Sequence, residues 1–370
     1  MYVDKVSDQK TWNRLGSVWP SSEKRSLVCV SVTAETADVK TFGLCTEDGS
    51  LISFEPGQFI TVDVDTGVEK VSRCYTISSP PTRPFSLSIT VKRVANGEVS
   101  NWLHDHLSVG DRLNAYGPSG AFTTTVAQAE KLLFLSAGSG VTPLMSMVRA
   151  ASDLAVDRDV VFVHSARTPE DIIFRNEICH LSKRLPRLKV LNVVEGVGKE
   201  PEWNGQVGRL NLEMLKSYVP DFADREVFIC GPGGYMSSIK DTLAHEGFDM
   251  SRYHSENFDL SAETPDARGP DQQQELSGAD GGGAELAIRL ARAGMTFYAW
   301  PGETVLAAAK RAGVAIASSC SQGICGTCIA RLLEGTVDMQ HAGGIRQREI
   351  DKGLRLLCCS TPTSDLVLDL

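Results

Sequence analysis

Leu132-Leu133-Phe134-Leu135-Ser136-Ala137-Gly138-Ser139-Gly140-Val141-Thr142-Pro143 reads as a strand, a glycine turn and the start of a helix. Gly138 and Gly140 allow the backbone to approach a pyrophosphate closely, and Pro143 suits a first helical turn. A short Gly-x-Gly alone fits an ordinary tight turn equally well. The runs that follow extend the pattern. VVFVHSA (160–166), KVLNVV (189–194) and EVFICGP (226–232) alternate with helical stretches such as TPLMSMVRAASDL (142–154). Apolar runs of that kind belong to a parallel sheet covered on both faces, so residues 127–258 are expected to form an α/β domain.

Upstream of this stretch the texture changes. Residues 26–126 contain SLVCVSVTAET, VKTFGLCTE, QFITVDVDT, RCYTISSP, SLSITVKRV and DRLNAYGPSG, separated by Gly and Pro turns. Evenly spaced short strands with one amphipathic helix, expected over Ser100–Leu107, predict an antiparallel β-barrel, preceded by an extension over residues 1–25. His104 and His106, flanking Asp105 on that helix, read as surface residues rather than ligands. Downstream, residues 259–284 hold five Gly, two Pro and six acids against Arg268. Such a segment cannot bury a core and reads as a flexible acidic linker spanning roughly 25 to 30 Å as a coil. Residues 285–370 begin with two strand-like runs and the helix ETVLAAAKRAG. The whole chain is therefore multidomain.

Composition agrees with a globular chain of two or three domains: 370 residues, 42% hydrophobic and 22% charged. A net charge of −9 argues against nucleic acid as a partner, because phosphate neutralisation needs a basic surface. No run approaches the roughly 18 apolar residues of a membrane span, and the first residues lack the apolar core of a secretory signal. A cytoplasmic location without a membrane partner is the expectation. Five of ten cysteines fall between Cys320 and Cys359, which in a reducing compartment points to metal or redox chemistry.

Cys320, Cys325 and Cys328 stand in C-x4-C-x2-C spacing, with 29 residues between Cys328 and Cys358. That is the spacing that holds a [2Fe-2S] cluster. Structural zinc sites usually offer two short-spaced pairs instead. Gly323 and Gly326 suit a loop whose amides approach the sulfurs. Residues 285–370 resemble plant-type ferredoxins, an α+β fold of β-grasp type. In that resemblance the last ligand precedes a Ser-Asp-like pair by six and seven residues. Ser364 and Asp365 lie at that distance from Cys358, which is chosen over Cys359; the latter reads as a small packed residue.

Arg73-Cys74-Tyr75-Thr76 and Gly97-Glu98-Val99-Ser100 resemble the RxY[ST] and GxxS motifs of the ferredoxin-NADP reductase superfamily, as do Pro56-Gly57-Gln58-Phe59 and Gly117-Pro118-Ser119-Gly120. The resemblance implies a flavin stacked on Tyr75, with Thr76 near its N5 and Arg73 on its pyrophosphate. Gly97, Val99, Ser100 and Asn101 would open the phosphate-binding helix. FAD is expected, with FMN as the alternative. Cys230-Gly231-Pro232 matches the superfamily turn whose cysteine lies beside the nicotinamide, joining Gly138, Gly140, Thr142 and Pro143. Glu256 and Phe258 resemble residues that approach the flavin. Thr76, Cys230 and Glu256 are thus the expected catalytic residues. After the second parallel strand, Glu170 or Asp171 would repel a 2′-phosphate and Arg167 could attract one, which favours NADH over NADPH.

NADH gives up two electrons, a [2Fe-2S] cluster takes one at a time, and a flavin handles both. The resemblance therefore implies an electron-transfer oxidoreductase running from NADH through FAD and the cluster to an external acceptor. RCYTISSPPTRP, GEVSNWLHDHL and LLCCSTP resemble reductase components of Rieske-type oxygenases acting on small quaternary ammonium compounds such as glycine betaine, stachydrine or carnitine. They are also similar to NADH reductases of hybrid-cluster proteins, and a redox sensor holding the same cofactors is a further alternative. Residues 285–370 carry nine basic and eight acidic residues, a net +1. A dedicated partner met by shape as well as charge is expected.

Overall fold

The computed structural model describes residues 17–19, 24–65, 67, 70–126, 129–258, 285–314, 316, 323, 328–341, 345 and 347–370. The acidic segment 259–284 lies outside them, as do Cys320 and Cys325. The chain divides between Phe258 and Asp259 into two compact units.

The first unit opens with β1 (Arg25–Thr36), β2 (Val39–Thr46), β3 (Phe59–Asp65), β4 (Lys70–Thr76), β5 (Leu87–Lys92), helix α1 (Glu98–His106) and β6 (Arg112–Ser119). The strands form one antiparallel sheet in the order β4-β3-β6-β1-β2-β5. Bulges in β1 and β3 increase the local bend. The two edges meet where Ile77, just past β4, bridges to Ile89 of β5, and Ser78 N donates to Ser88 O at 2.8 Å. The sheet thereby curls into a barrel around Leu27, Phe42, Leu44, Ile60, Val62, Leu87 and Ile89.

Helix α1 covers this barrel with Val99, Ser100, Leu103 and His104. His104 is therefore not the surface residue expected from sequence. Spacing of four from Ser100 turns it inward, where Nε2 lies 2.9 Å from Val91 O and the ring meets Phe42 edge-on. Burial lowers its pKa below the usual imidazole value.

The same unit continues through β7 (Lys131–Ala137), α2 (Val141–Asp153), β8 (Asp159–Ala166), α3 (Arg175–Arg184), β9 (Leu188–Val194), β10 (Gln206–Val207), α4 (Leu212–Tyr218), β11 (Glu226–Gly231), α5 (Gly233–His245) and β12 (Tyr253–Asn257). These strands are all parallel, in the order β10-β9-β8-β7-β11-β12. One face packs Phe134, Phe162 and Phe228 against Met145 and Val148 of α2 and Ile178 of α3. The other packs Leu135, Val163 and Ile229 against Leu215 of α4 and Ile239 and Leu243 of α5. The chain runs outward from β7 to β10, then returns to β11 on the opposite side of β7. That reversal leaves a crevice at the carboxyl ends of β7 and β11, where open α/β sheets bind ligands.

Helix α2 joins the two sheets. Ser146 Oγ donates to Ser79 O at 2.7 Å and Arg149 Nη1 to Ser78 O at 2.6 Å, while Arg83 forms a bidentate pair with Asp153 at 2.9 and 3.0 Å. All three side chains of α2 grip the loop that follows β4. Arg149 also pairs with Glu177 of α3 through two bonds.

The second unit holds β13 (Leu286–Leu290), β14 (Met295–Ala299), α6 (Val305–Arg311), β15 (Ile329–Glu334), β16 (Val337–Met339), α7 (Gln347–Ile350), β17 (Leu354–Leu356), β18 (Ser360–Pro362) and β19 (Leu366–Leu368). Its five-stranded sheet, β14-β13-β19-β15-β17, contains one parallel pair, β13 with β19. Helix α6, capped by Thr304 accepting from Ala307 N, packs Val305, Leu306, Ala308 and Ala309 into a core with Ile288, Phe297, Leu356 and Leu366. A helix laid across a mixed sheet of this order is the β-grasp arrangement expected from the resemblance.

Candidate active site

Three strand ends converge at the crevice. Cys230 of β11 lies opposite Ser136 of β7 on one side and Glu256 of β12 on the other. Thr76, the last residue of β4, reaches this point from the barrel. Its Oγ1 donates to Glu256 Oε2 at 3.3 Å. Thr76, Cys230 and Glu256 are 5%, 0% and 7% exposed. Burial pushes the Glu256 carboxyl up to about 8, against a smaller opposing effect from the Thr76 hydroxyl. Phe258 follows Glu256 by two residues and packs partly against the core that includes Cys230.

Strand alternation puts Arg73 and Tyr75 on one side of β4, opposite Val62 and Ile60 of β3. Tyr75 packs partly on the barrel core, and burial drives its phenol pKa upward. Arg73 Nη1 donates to Ser72 O at 2.9 Å. At the α1 start, Ser100 Oγ accepts from Val94 N at 3.2 Å and donates to Gly97 O at 3.3 Å. Asn101 Nδ2 donates to Val94 O and Gly97 O at 3.0 and 2.7 Å. These side chains brace the loop before the helix, and no side chain caps its first turn, whose backbone amides would serve an anion. A Cβ on Gly97 would come within 2.7 Å of Ser100 Oγ, which explains glycine three residues ahead of that serine.

The two glycines after β7 do different work. Gly138 has φ +53° with no heavy atom within 4 Å of a would-be Cβ, leaving space at the mouth of the crevice. A Cβ on Gly140 would stand 2.2 Å from Cys230 O, so glycine there lets the β7–α2 turn touch the end of β11. Thr142 and Pro143 are buried in α2, with Thr142 Oγ1 donating to Ser139 O at 3.0 Å. Gly231 packs against Ala137 and Tyr235, and Pro232 caps α5.

Sequence reasoning missed a buried polar row in register across β7, β8 and β9, formed by Ser136, His164 and Asn192. Ser136 Oγ lies 2.8 Å from His164 Nδ1, while His164 Nε2 and Asn192 Oδ1 are buried without partners. Burial lowers the His164 pKa to about 4, which keeps the ring neutral. A polar residue near the carboxyl end of each of three apolar runs, Ser136, His164 and Asn192, was the available signal.

In the second unit Cys328 and Cys358 are both buried, and the Cys358 amide lies 3.4 Å from Cys328 Sγ. Gly323 N donates to Cys358 Sγ at 3.1 Å. Cys359 Sγ donates to Leu356 O at 3.6 Å and also interacts with the Cys358 thiol. Amides directed at sulfur fit thiolates that carry cluster charge. Likewise, the free first-turn amides of α1 and the space beside Gly138 fit phosphate-bearing cofactors.

Three family profiles match the chain: an oxidoreductase FAD-binding domain over residues 26–124, an oxidoreductase NAD-binding domain over 134–241 and a 2Fe-2S iron-sulfur cluster binding domain over 288–363. A glycine betaine monooxygenase reductase subunit of Pseudomonas aeruginosa is 43% identical over 345 residues, 92% of this chain and 94% of that one. A stachydrine N-demethylase reductase subunit of Rhizobium meliloti is 39% identical over 94% of this chain and 96% of its own. Among solved structures, phthalate dioxygenase reductase superposes with a TM-score of 0.57 at 24% identity, covering 94% of this chain and 98% of that one. At that identity the match speaks for the fold. No helix among the described residues is long and apolar enough to cross a membrane. The alignments run over nearly the full length of these relatives, and the chain belongs to the family of FAD-, NAD- and [2Fe-2S]-binding reductase subunits of oxygenase systems.

Proposed function

We propose that this reductase takes electrons from NADH and delivers them to a terminal Rieske-type oxygenase whose substrate is a small quaternary ammonium compound. The relatives whose names mention glycine betaine and stachydrine support that substrate class. The observation that carries the site assignment is the meeting of Thr76 with Glu256, one strand away from Cys230. It joins the end of the flavin-side strand to the nucleotide-side crevice.

When bound, the flavin would accept two electrons from the nicotinamide and release them singly to the cluster. The residues of the chain then have separable tasks. Tyr75 offers a flat face for the flavin ring and Arg73 a cation for its pyrophosphate. Thr76 holds a hydroxyl against Glu256, and Glu256, kept protonated near neutral pH by burial, holds a proton at its carboxyl beside the reacting edge. Cys230 presents a buried thiol between Ser136 and Glu256 at the end of β11, where a nicotinamide would lie. Cys320, Cys325, Cys328 and Cys358 would hold the cluster, with the Gly323 amide supporting Cys358.

Anaerobic titration with NADH, followed by absorption and electron paramagnetic resonance, tests this reading. Bleaching of a flavin band with growth of a reduced [2Fe-2S] signal is expected. Protein purified anaerobically without iron or flavin would overturn it. Stimulation of NADH oxidation by candidate oxygenases plus quaternary ammonium substrates tests the choice of partner.

A further inference from the structure

Arg167 stands just beyond β8, the strand beside which an adenosine ribose is recognised in sheets of this order. Its guanidinium is a cation at that strand end able to accept a 2′-phosphate. It is 60% exposed, yet it is already paired twice, with Asp171 at 3.3 Å and with Asp38 at 3.2 Å. Asp171 is a local partner, four residues on and also accepting from Thr168 Oγ1. Asp38 is of another kind, since it comes from the two-residue turn between β1 and β2 of the barrel, 129 residues away.

Asp38 is fixed independently of Arg167. Thr36 Oγ1 donates to its Oδ1 at 3.0 Å, its carbonyl accepts from Arg93 N at 2.7 Å, and Lys92 Nζ sits 3.6 Å from the same carboxylate oxygen that faces Arg167. Two cations and two carboxylates thus balance just beyond the end of β8. Among the described residues Glu170 forms no ion pair with Arg167, and it accepts from Lys199 N, next to Gly198. Glu195, whose amide donates to Ala166 O, is paired with Arg209.

We propose that Asp38, supplied by the flavin-side barrel, is a specificity-determining residue for the dinucleotide: it occupies Arg167 and so excludes the 2′-phosphate of NADPH. A ribose hydroxyl can donate to either carboxylate, whereas a phosphate must displace Asp38 from Arg167 and remain beside its negative charge. Selectivity is therefore set across two sheets rather than within the nucleotide-binding sheet alone.

This inference rests on the NADH reading above, and the wild-type protein separates the two: equal kcat/KM for NADH and NADPH would overturn that reading itself. With an NADH-preferring wild type, Asp38→Asn should raise the NADPH/NADH ratio of kcat/KM by about tenfold, the scale of removing one unit charge a few ångströms from a phosphate at a hydrated rim. Calorimetry of the holoenzyme with 2′,5′-ADP and 5′-ADP gives a readout independent of turnover, in which the variant should tighten only the former. Adding Arg167→Ala to Asp38→Asn should abolish both gains. A ratio that stays within twofold of wild type in folded, flavin-replete Asp38→Asn protein, or a gain that survives loss of Arg167, overturns the proposal.

Discussion

Glu256 binds its proton more tightly folded than unfolded, with a folded pKa of about 8 against an ordinary value of 4.5. Between these values the folded chain keeps a proton that the unfolded chain has released. Stability therefore falls as pH rises through this window, by up to about 1.4 kcal/mol per pH unit. Glu256→Gln removes that dependence, so its melting temperature relative to wild type should climb from pH 5 to pH 8 and then level off. Parallel melting curves across that range would show an ionised carboxyl instead. For the cluster, Cys358→Ser should abolish the reduced-iron resonance signal and Cys359→Ser should preserve it; the reverse outcome would exchange their roles. At this scale the sequence was readable where a domain carries a local motif, as with the cysteine spacing of the 2Fe-2S domain. It was silent where a contact spans the chain. Thr76 and Glu256 lie 180 residues apart, and no local periodicity encodes such a pairing. His104 shows the opposite failure: its helix was readable but its face was misjudged, because a hydrogen bond to Val91 O permits an imidazole inside.

Among the elements, the β7–α2 turn tolerates little change. Gly140→Ala would drive a methyl group into the Cys230 carbonyl, and overpacking of this kind typically costs about 1 to 3 kcal/mol. Thermal unfolding should detect that loss, and KM for NADH should rise because the turn cannot sit against β11. Retention of wild-type stability and KM would mean that the contact relaxes freely. Runs such as LLFLSA and VVFVHSA were legible as strands because both sheet faces are buried and the apolar signal is continuous. The short β10, and β12 with its mixture of Tyr, His, Ser, Glu and Asn, lacked that signal; pairing along the sheet edges creates them. The barrel was legible from strand spacing, but its closure through Ile77 and Ile89 was not.

At the scale of the whole molecule, each compact unit has its own hydrophobic core. Residues 1–258 alone should therefore fold, retain flavin and reduce ferricyanide with NADH, while losing the ability to drive an oxygenase. Loss of the ferricyanide activity on truncation would show that the first unit depends on the second. Within that first unit the division by cofactor is not a mechanical one. Ser146, Arg149 and Asp153 on a single helix clasp the segment immediately beyond Thr76. A chimera that imports a relative's barrel while keeping the native α2 would inherit a splice without its dowels. Successful recombination should need the donor's helix to travel with the donor's barrel, so the inheritable block is larger than either cofactor's domain.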